Sequence, residues 1–200
     1  MKKLKVLVLL HEDLVPPENS FKESITSEVP WKTEYDVWKG LQDGGHHVQL
    51  LGVRDDTLVI RQTIDDFKPN IVFNLLEEFA GQATFDQHVV SYLEMLGVKY
   101  TGCNPCGLVI ARNKDLAKKL MKFHRIPTPD FSVFAKKKGR LLIPKNLRYP
   151  LFVKSLTEEA SMGITQESIV WDQAELKKRI EYFFEQIDSD VIAETYVDGR

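Results

Sequence analysis

Lys154 stands directly after a short apolar run, a position from which a lysine can hold an anion. The run Leu151–Val153 is too short for a helix of normal length and predicts a buried strand. Small and polar residues follow, among them Thr157, Ser161 and Gly163. A loop of this composition can offer backbone N–H groups to an anion. The stretch is equally consistent with a surface hairpin whose lysine is only solvated. The neighbouring segments of the sequence are needed to choose between the two interpretations.

Two further segments carry groups that suit a polyphosphate ligand. Lys114 lies in the first turn of a predicted helix. Two lysines on separate elements can clasp a polyphosphate, each charge-assisted contact contributing on the order of 1.5–3 kcal/mol. The extended segment Glu194–Val197 can offer backbone hydrogen bonds to an adenine edge while apolar side chains face the ring. Together with Lys154, these segments indicate a nucleotide site.

A second set of polar residues follows the ends of predicted parallel strands. His11, Glu12 and Asp13 come after the first strand, and Glu77 and Glu78 come after the third. In open α/β sheets ligands bind beyond the carboxyl ends of the strands, so this rim is a candidate substrate site. Solvated loop acids are the alternative interpretation. No G-x-G-x-x-G follows the first strand and no P-loop motif occurs, which argues against a dinucleotide site in this half.

Strands alternate with helices in the first half, which predicts an α/β domain with a parallel sheet over residues 1–112. The predicted strands are Leu4–Leu10, His47–Val53, Ile71–Leu76 and Val98–Thr101. The predicted helices are Thr33–Gln42, capped by Thr33, then Thr57–Phe67 and Thr84–Leu96. A turn between Gly102 and Gly107 is expected to hold Cys103 and Cys106.

The second half, residues 113–200, predicts an antiparallel α+β module, with the boundary near Arg112. Its predicted helices are Asn113–Arg125 and a helix capped by Asp172 and Glu175 that runs to about Ile187. The predicted strands are Phe131–Phe134, Leu151–Lys154, Gln166–Val170 and Val191–Val197.

Composition excludes several classes of function. With 43% hydrophobic residues, 28% charged residues and a net charge of −2, the chain can bury a core and has no bias towards nucleic acid or an anionic membrane. No apolar run approaches the roughly 20 residues of a membrane span. Two cysteines make neither a disulfide framework nor a complete zinc site, so a cytoplasmic location is expected.

Seven short motifs follow one another along nearly the whole chain. They are FNLLEE (73–78), LEMLGVKYTG (93–102), ARNK (111–114), RIPTPDF (125–131), YPLFVKS (149–155), EEASMGI (158–164) and AETYVDGR (193–200). In this order they resemble the ATP-grasp superfamily, most closely its D-alanine–D-alanine ligase-like branch. The resemblance implies an α/β chain with an N-terminal parallel-sheet pre-ATP-grasp domain, followed by the α+β first subdomain of an ATP-grasp fold.

The resemblance also implies a reaction and its residues. ATP, with Mg²⁺, would phosphorylate a substrate carboxylate, and an amine would attack the acyl phosphate to form an amide or peptide bond. The implied substrates are small molecules such as amino acids or peptides, with no nucleic acid or membrane partner, and a homodimer is compatible. Lys154 and Ser161 carry over as catalytic residues, and Glu12 and Glu77 as substrate contacts. The implied nucleotide contacts are Lys114, Lys154, Glu158, Ser161, Met162, Gly163, Glu194, Tyr196 and Val197.

Three departures from the family pattern limit what carries over. The family has a serine where this chain has Ala160, and a histidine where it has Glu77, which favours a cationic or amine-bearing substrate over D-alanine. The family's metal ligands are expected beyond Arg200, with none in these residues. The chain is therefore expected to be an incomplete ligase, inactive alone. Two other hypotheses stay open: a nucleotide-binding fragment without catalysis, and an interaction module that uses the acidic rim.

Overall fold

A computed structural model describes residues 2–17, 29–136, 141–144, 147–158 and 161–199. The chain divides into two compact units, Met1–Leu108 and Val109–Arg200. The division lies inside the helix Pro105–Arg112, which also contains the predicted boundary residue. Within the described ranges, no helix is both long enough and apolar enough to cross a membrane.

The first unit is built on a parallel sheet of three strands. They are β1 (Lys5–His11), β2 (His47–Val53) and β3 (Ile71–Asn74), in the order β2-β1-β3. The central strand β1 is buried on both faces, with Leu7 and Leu9 in one apolar cluster and Val6, Val8 and Leu10 in another. A strand made almost wholly of branched apolar residues is typical of such a doubly covered position. The predicted parallel sheet is confirmed.

Four helices accompany this sheet in sequence: α1 (Lys32–Asp43), α2 (Leu58–Phe67), α3 (Asp86–Met95) and α4 (Pro105–Arg112). Short 3-10 turns occupy Glu12–Leu14 and Ala83–Phe85. Helices α2 and α3 bury Ile60, Ile64, Val89 and Leu93 in the same cluster as Leu7 of β1. Their apolar residues recur at helical spacing, which is why the sequence predicts both helices.

The predicted cap of α1 is wrong. The helix begins at Lys32, its N-cap residue is Trp31, and no side chain caps it. The Lys32 N–H donates to the Val29 carbonyl at 3.1 Å, so the chain is already turning before it reaches Thr33. A backbone turn has therefore replaced the expected hydroxyl cap.

The predicted fourth strand, Val98–Thr101, is also wrong. Only a single bridge forms, between Val72 of β3 and Tyr100. Two residues further along β3, the Asn74 N–H donates to the Thr101 hydroxyl at 3.1 Å instead of to a backbone carbonyl. A side chain thus takes the donor that a longer ladder would need.

The expected turn around Cys103 and Cys106 is instead the start of α4. Asn104 accepts the Gly107 N–H through its side chain at 2.8 Å, and Pro105 is the first helical residue. Asparagine followed by proline is a common helix start, because the asparagine satisfies a free N–H and proline has none to lose. Both thiols are free and exposed.

The second unit is an antiparallel sheet with helices, which confirms the predicted α+β module. Its strands are β4 (Phe131–Phe134), β5 (Leu151–Ser155), β6 (Ile169–Val170) and β7 (Val191–Thr195), in the order β4-β7-β5-β6. Its helices are α5 (Lys114–Phe123) and α6 (Gln173–Tyr182), and α6 continues as a π-helical turn, Phe183–Ile187. Leu176, Ile180 and Phe183 pack in one core with Val153 and Val191.

The start of α6 follows the predicted capping pattern. Asp172 accepts the Glu175 N–H through Oδ1 at 2.9 Å, and the Glu175 carboxylate accepts the Trp171 N–H at 2.7 Å. The strand predicted over Gln166–Val170 is shorter than expected, because Gln166–Ser168 forms a 3-10 turn closed by hydrogen bonds between Thr165 and Ser168.

Candidate functional site

Lys154 and Glu194 meet because β5 and β7 are antiparallel neighbours. Glu194 pairs directly with Phe152, and Lys154 lies two residues further along the same face of the sheet. The two charged side chains are therefore diagonal cross-strand neighbours, and Lys154 Nζ lies 3.2 Å from Glu194 Oε1. On the opposite face Leu151 and Val153 are buried in the core, which fixes the register that brings the pair together.

Lys118 of α5 completes this cluster, and sequence reasoning missed it. Its Nζ lies 3.4 Å from the same Glu194 oxygen and donates to the Thr128 hydroxyl at 2.8 Å. The side chain is only 7% exposed, and burial lowers the pKa of its ammonium, against the opposing effect of Glu194. The available signal was helical spacing, since Lys118 is one turn beyond Lys114.

Lys114 holds the loop that leaves β5. Its Nζ donates to the carbonyl of Glu158 at 2.7 Å and to that of Leu156 at 3.3 Å. The helix beneath it is capped by Asn113, whose side chain accepts the Leu116 N–H at 3.0 Å. Lys114 therefore fixes the start of the loop, while Lys118 is the helix lysine that reaches the Lys154–Glu194 pair.

The loop itself is constrained at both described ends. The Glu158 N–H donates to Ser155 Oγ at 2.9 Å. Further on, Ser161 and Gly163 both have positive φ, 59° and 72°. A Cβ on Gly163 would lie 3.0 Å from the Phe183 ring, so glycine fits both the conformation and the space.

Two parts of this loop bear directly on the predicted contacts. Met162 is 51% exposed, which leaves an apolar side chain available to a ligand. Ala160, where the family has a serine, lies outside the described residues.

The end of β7 has one backbone donor already in use. The Tyr196 N–H donates to the Pro150 carbonyl at 3.0 Å. The peptide bond that precedes Pro150, Tyr149–Pro150, is cis. The next residue, Val197, is 66% exposed. An adenine ring at this edge would therefore not find the Tyr196 N–H free.

The rim of the first unit contains an ion cluster centred on Arg54, which sequence reasoning also missed. Arg54 Nε donates to Glu12 Oε1 at 2.5 Å, and Nη2 donates to Asp13 Oδ1 at 2.7 Å. The hydrogen bond to Glu12, followed by the charges of Asp13 and Glu12, raises the pKa of Arg54. Glu12 is therefore already neutralised by a cation, which argues against a purely acidic interaction surface. Arg54 follows β2 directly, as Glu12 follows β1.

The other candidate on this rim, Glu77, is exposed and lies three positions beyond the end of β3. Its neighbour Glu78 lies 3.4 Å from His11 Nε2, while His11 Nδ1 accepts the Asp13 N–H at 3.3 Å. The predicted polar residues thus lie at the carboxyl end of the parallel sheet. Glu78 makes a contact with the end of β1.

Comparison with known proteins agrees with this architecture, although no protein-family model matches the chain. The chain is 34% identical over 172 residues to D-alanine–D-alanine ligase of Marinomonas sp. (strain MWYL1), covering 82% of this chain and 50% of that ligase. A D-alanine–D-alanine ligase of Bacillus anthracis, solved in complex with ATP, matches 98% of this chain and 60% of its own length, with a TM-score of 0.67 and 23% identity. An L-amino acid ligase of Bacillus licheniformis has a TM-score of 0.62 at 18% identity, over 100% of this chain and 48% of its own.

The two solved structures show a shared fold, and the sequence match shows kinship. The chain is related in sequence to D-alanine–D-alanine ligases and shares the fold of the solved ligases. It spans about half the length of the curated relatives that it matches.

Proposed function

We propose that this protein is an ATP-dependent carboxylate–amine ligase that forms an amide or peptide bond through an acyl phosphate. The observation that carries the proposal is the cluster of Lys154, Lys118 and Glu194 on the face of the sheet opposite the core. Two cations held in place by one carboxylate provide a site for the negative charge of a polyphosphate. In phosphoryl transfer, positioning and charge neutralisation supply most of the catalysis.

In this proposal each part of the site has a distinct task. Lys154 holds phosphate oxygens and exchanges its partner Glu194 for them. Lys114 keeps the following loop closed at Glu158, and Ser161 to Gly163 contribute their backbone and the Ser161 hydroxyl to the phosphates. The catalytic roles of Lys154 and Ser161 belong to this proposal.

The nucleotide base would lie at the end of β7. In this proposal Glu194 lies beside the exocyclic amine of adenine, while its backbone stays paired with Phe152 in the sheet. Because the Tyr196 N–H is bonded to Pro150, the ring nitrogen would receive its hydrogen bond from Val197. Tyr196 then contributes its side chain to the wall of the base site.

Magnesium belongs to the proposal as the ion that neutralises charge on the phosphoryl oxygens. Within the described ranges, no group of three or more His, Cys, Asp or Glu side chains could hold a metal ion. No residue of the described ranges is therefore assigned as its ligand.

A cytoplasmic location is part of the proposal, because that compartment supplies ATP.

The proposed substrates are small carboxylates and amines, with amino acids as the leading class. A relative is named a D-alanine–D-alanine ligase and a structural neighbour an L-amino acid ligase. Glu77 at the rim favours an amine-bearing substrate other than D-alanine. Glu12 would take part together with Arg54, whose guanidinium can also hold a carboxylate.

The test is substrate-dependent release of ADP and phosphate by the purified protein. Amino acids and dipeptides are supplied in pairs, and products are identified by mass spectrometry. The proposal expects ADP formation only when a carboxylate and an amine are both present. ATP binding without any turnover across the substrate panel would instead establish a nucleotide-binding protein without ligase chemistry.

A further inference from the structure

A cavity of about 320 Å³ lies in the second unit between β6 and α6. Its volume is at the lower end of the range for small-molecule sites, about 300–1,000 Å³. Ile169, Trp171 and Tyr182 form its apolar wall. Trp171 is 65% exposed, an unusual state for the largest apolar side chain beside a cavity. The cavity shares no lining residue with the Lys154–Glu194 cluster.

Arg179 is the buried polar group in this cavity, with 4% of its residue surface exposed. Its Nη2 donates to the Gly163 carbonyl and to Ser168 Oγ, the latter at 2.8 Å. Its guanidinium lies 4.4 Å from the centroid of the Tyr182 ring. Its Nε has no hydrogen-bond partner among the residues that the structure describes. A buried N–H without an acceptor is costly, so an additional anion beside this guanidinium would stabilise the arrangement.

The cavity is lined by charges of both signs. Lys178 and Arg179 supply two cations, and Glu167 and Glu175 supply two carboxylates. Glu167 approaches Arg179 Nη1 only to 3.8 Å and its side chain is 75% exposed, so it does not neutralise the arginine firmly. A ligand with a single charge would meet two like charges, whereas a zwitterion can place each charge beside its opposite.

We propose that this cavity binds a free α-amino acid with an apolar side chain. Its carboxylate lies beside the Arg179 guanidinium and accepts from Lys178, and its ammonium lies beside Glu167 and Glu175. Its side chain packs on Trp171 and Tyr182. The site shares no lining residue with the cluster of Lys154, Lys118 and Glu194.

Arg179 also connects this cavity to the loop after β5, because the same guanidinium holds the Gly163 carbonyl. A carboxylate beside the guanidinium holds Arg179 in place and so stabilises the turn at Ser161–Gly163. By linkage, an amino acid in the cavity and a nucleotide under the loop would then change one another's affinity. This coupling rests on the proposed function, whereas amino-acid binding itself does not.

The test is titration of the 200-residue chain with L-leucine, without nucleotide, followed by the fluorescence of Trp171 and by isothermal titration calorimetry. L-leucine should give a saturable change in emission that is lost in Trp171→Phe, with calorimetric binding retained in Lys177→Ala. Leucine amide and N-acetyl-leucine, which each lack one charge, should bind roughly tenfold more weakly or worse. Lys178→Ala should weaken L-leucine similarly, and being exposed it should not disturb folding.

Absence of saturable binding by L-leucine, L-phenylalanine and D-alanine in both measurements would overturn the proposal, and so would equal binding of the singly charged analogues. Thermal stabilisation by Mg-ATP is measured separately on the same sample. Binding of L-leucine without stabilisation by ATP would remove the proposed function and leave this site. Stabilisation by ATP without binding of any amino acid would remove the proposed amino-acid site and leave the proposed function.

Discussion

Lys154 Nζ and Glu194 Oε1 lie 3.2 Å apart on the face of the second sheet that is turned away from its core. The same carboxylate oxygen lies 3.4 Å from Lys118 Nζ, so one anion serves two lysines. Phosphate oxygens accept the same charge-assisted hydrogen bonds. A polyphosphate can therefore take the place of Glu194 beside Lys154 and leave the carboxylate with the more deeply buried Lys118.

Removal of the Glu194 charge should destabilise the second unit. Glu194→Gln leaves the 7% exposed Lys118 without its anion, and breaking such a pair costs on the order of 3 kcal/mol. Urea denaturation would measure the change in unfolding free energy. Glu181→Gln is the matched control, because Glu181 is 52% exposed and its ion pair with Lys177 is long, at 3.7 Å, so a loss below about 0.5 kcal/mol is expected there.

The same substitution has a predicted pH dependence. Burial lowers the pKa of Lys118, so its protonated form costs stability at neutral pH, and that cost disappears as pH rises through the folded-state pKa towards the ordinary value of about 10.4. Glu194→Gln removes the main opposing charge and should lower the pKa further. The deficit in unfolding free energy should therefore shrink at alkaline pH. A deficit that stays constant with pH would show that Lys118 is not its source.

Gly163→Ala should destabilise the chain, whereas Gly40→Ala should not. At Gly163 φ is 72° and the added Cβ would lie 3.0 Å from Phe183, which together cost on the order of 1–3 kcal/mol. Gly40 lies inside α1, and a Cβ added there would meet nothing within 4 Å, so alanine should stabilise by about 0.4–1 kcal/mol. Thermal unfolding of both variants would measure the two changes in melting temperature, a decrease for Gly163→Ala and an increase for Gly40→Ala. Two shifts of the same sign would contradict the prediction.

Tyr100 should contribute to alkaline unfolding of the first unit. Its hydroxyl donates to Glu94 Oε1 at 2.6 Å, and this hydrogen bond is the main reason that its pKa is raised to about 12. A raised folded-state pKa means that the contribution is complete below the ordinary value near 10 and is lost as pH rises towards 12. Tyr100→Phe should flatten the decline in stability over that window, as followed by circular dichroism. An unchanged decline would place its origin elsewhere.

Lys114→Ala should loosen the loop after β5. The substitution removes the donor to the carbonyls of Leu156 and Glu158. Hydrogen exchange followed by mass spectrometry should show faster exchange in a peptide covering Ser155–Gly163. Lys119→Ala is the control on the same helix, since Lys119 is 65% exposed and pairs with Asp115. Equal exchange in the two variants would mean that Lys114 does not restrain the loop.

Most of the fold could be predicted because its pattern is local. The residues of β1 are apolar without interruption, and α2 and α3 repeat apolar residues at helical spacing. The errors came where one side chain decided the outcome. The Thr101 hydroxyl ended the ladder of β3, and the Asn104 side chain began α4 where a turn was expected.

The site could be predicted in its residues but not in its contacts. Lys154 and Glu194 are 40 positions apart, and only the register of β5 against β7 makes them neighbours. The sequence did not predict the contacts of Lys118, Arg54 and Arg179, because each side chain binds a residue on another element of the fold. An exposed and a buried lysine on one helix look alike until the packing is known.

The nucleotide site at Lys154 and Glu194 can be tested directly by the thermal shift of the 200-residue chain with Mg-ATP, Mg-ADP and GTP. Adenine nucleotides should stabilise the wild type and Lys177→Ala, by about 2.7 kcal/mol at one hundred times the dissociation constant. GTP should have little effect, and Lys154→Ala should lose most of the stabilisation because the phosphates lose their cation. If adenine nucleotides leave the melting temperature of wild type and Lys154→Ala alike unchanged, the nucleotide site at Lys154 and Glu194 is contradicted.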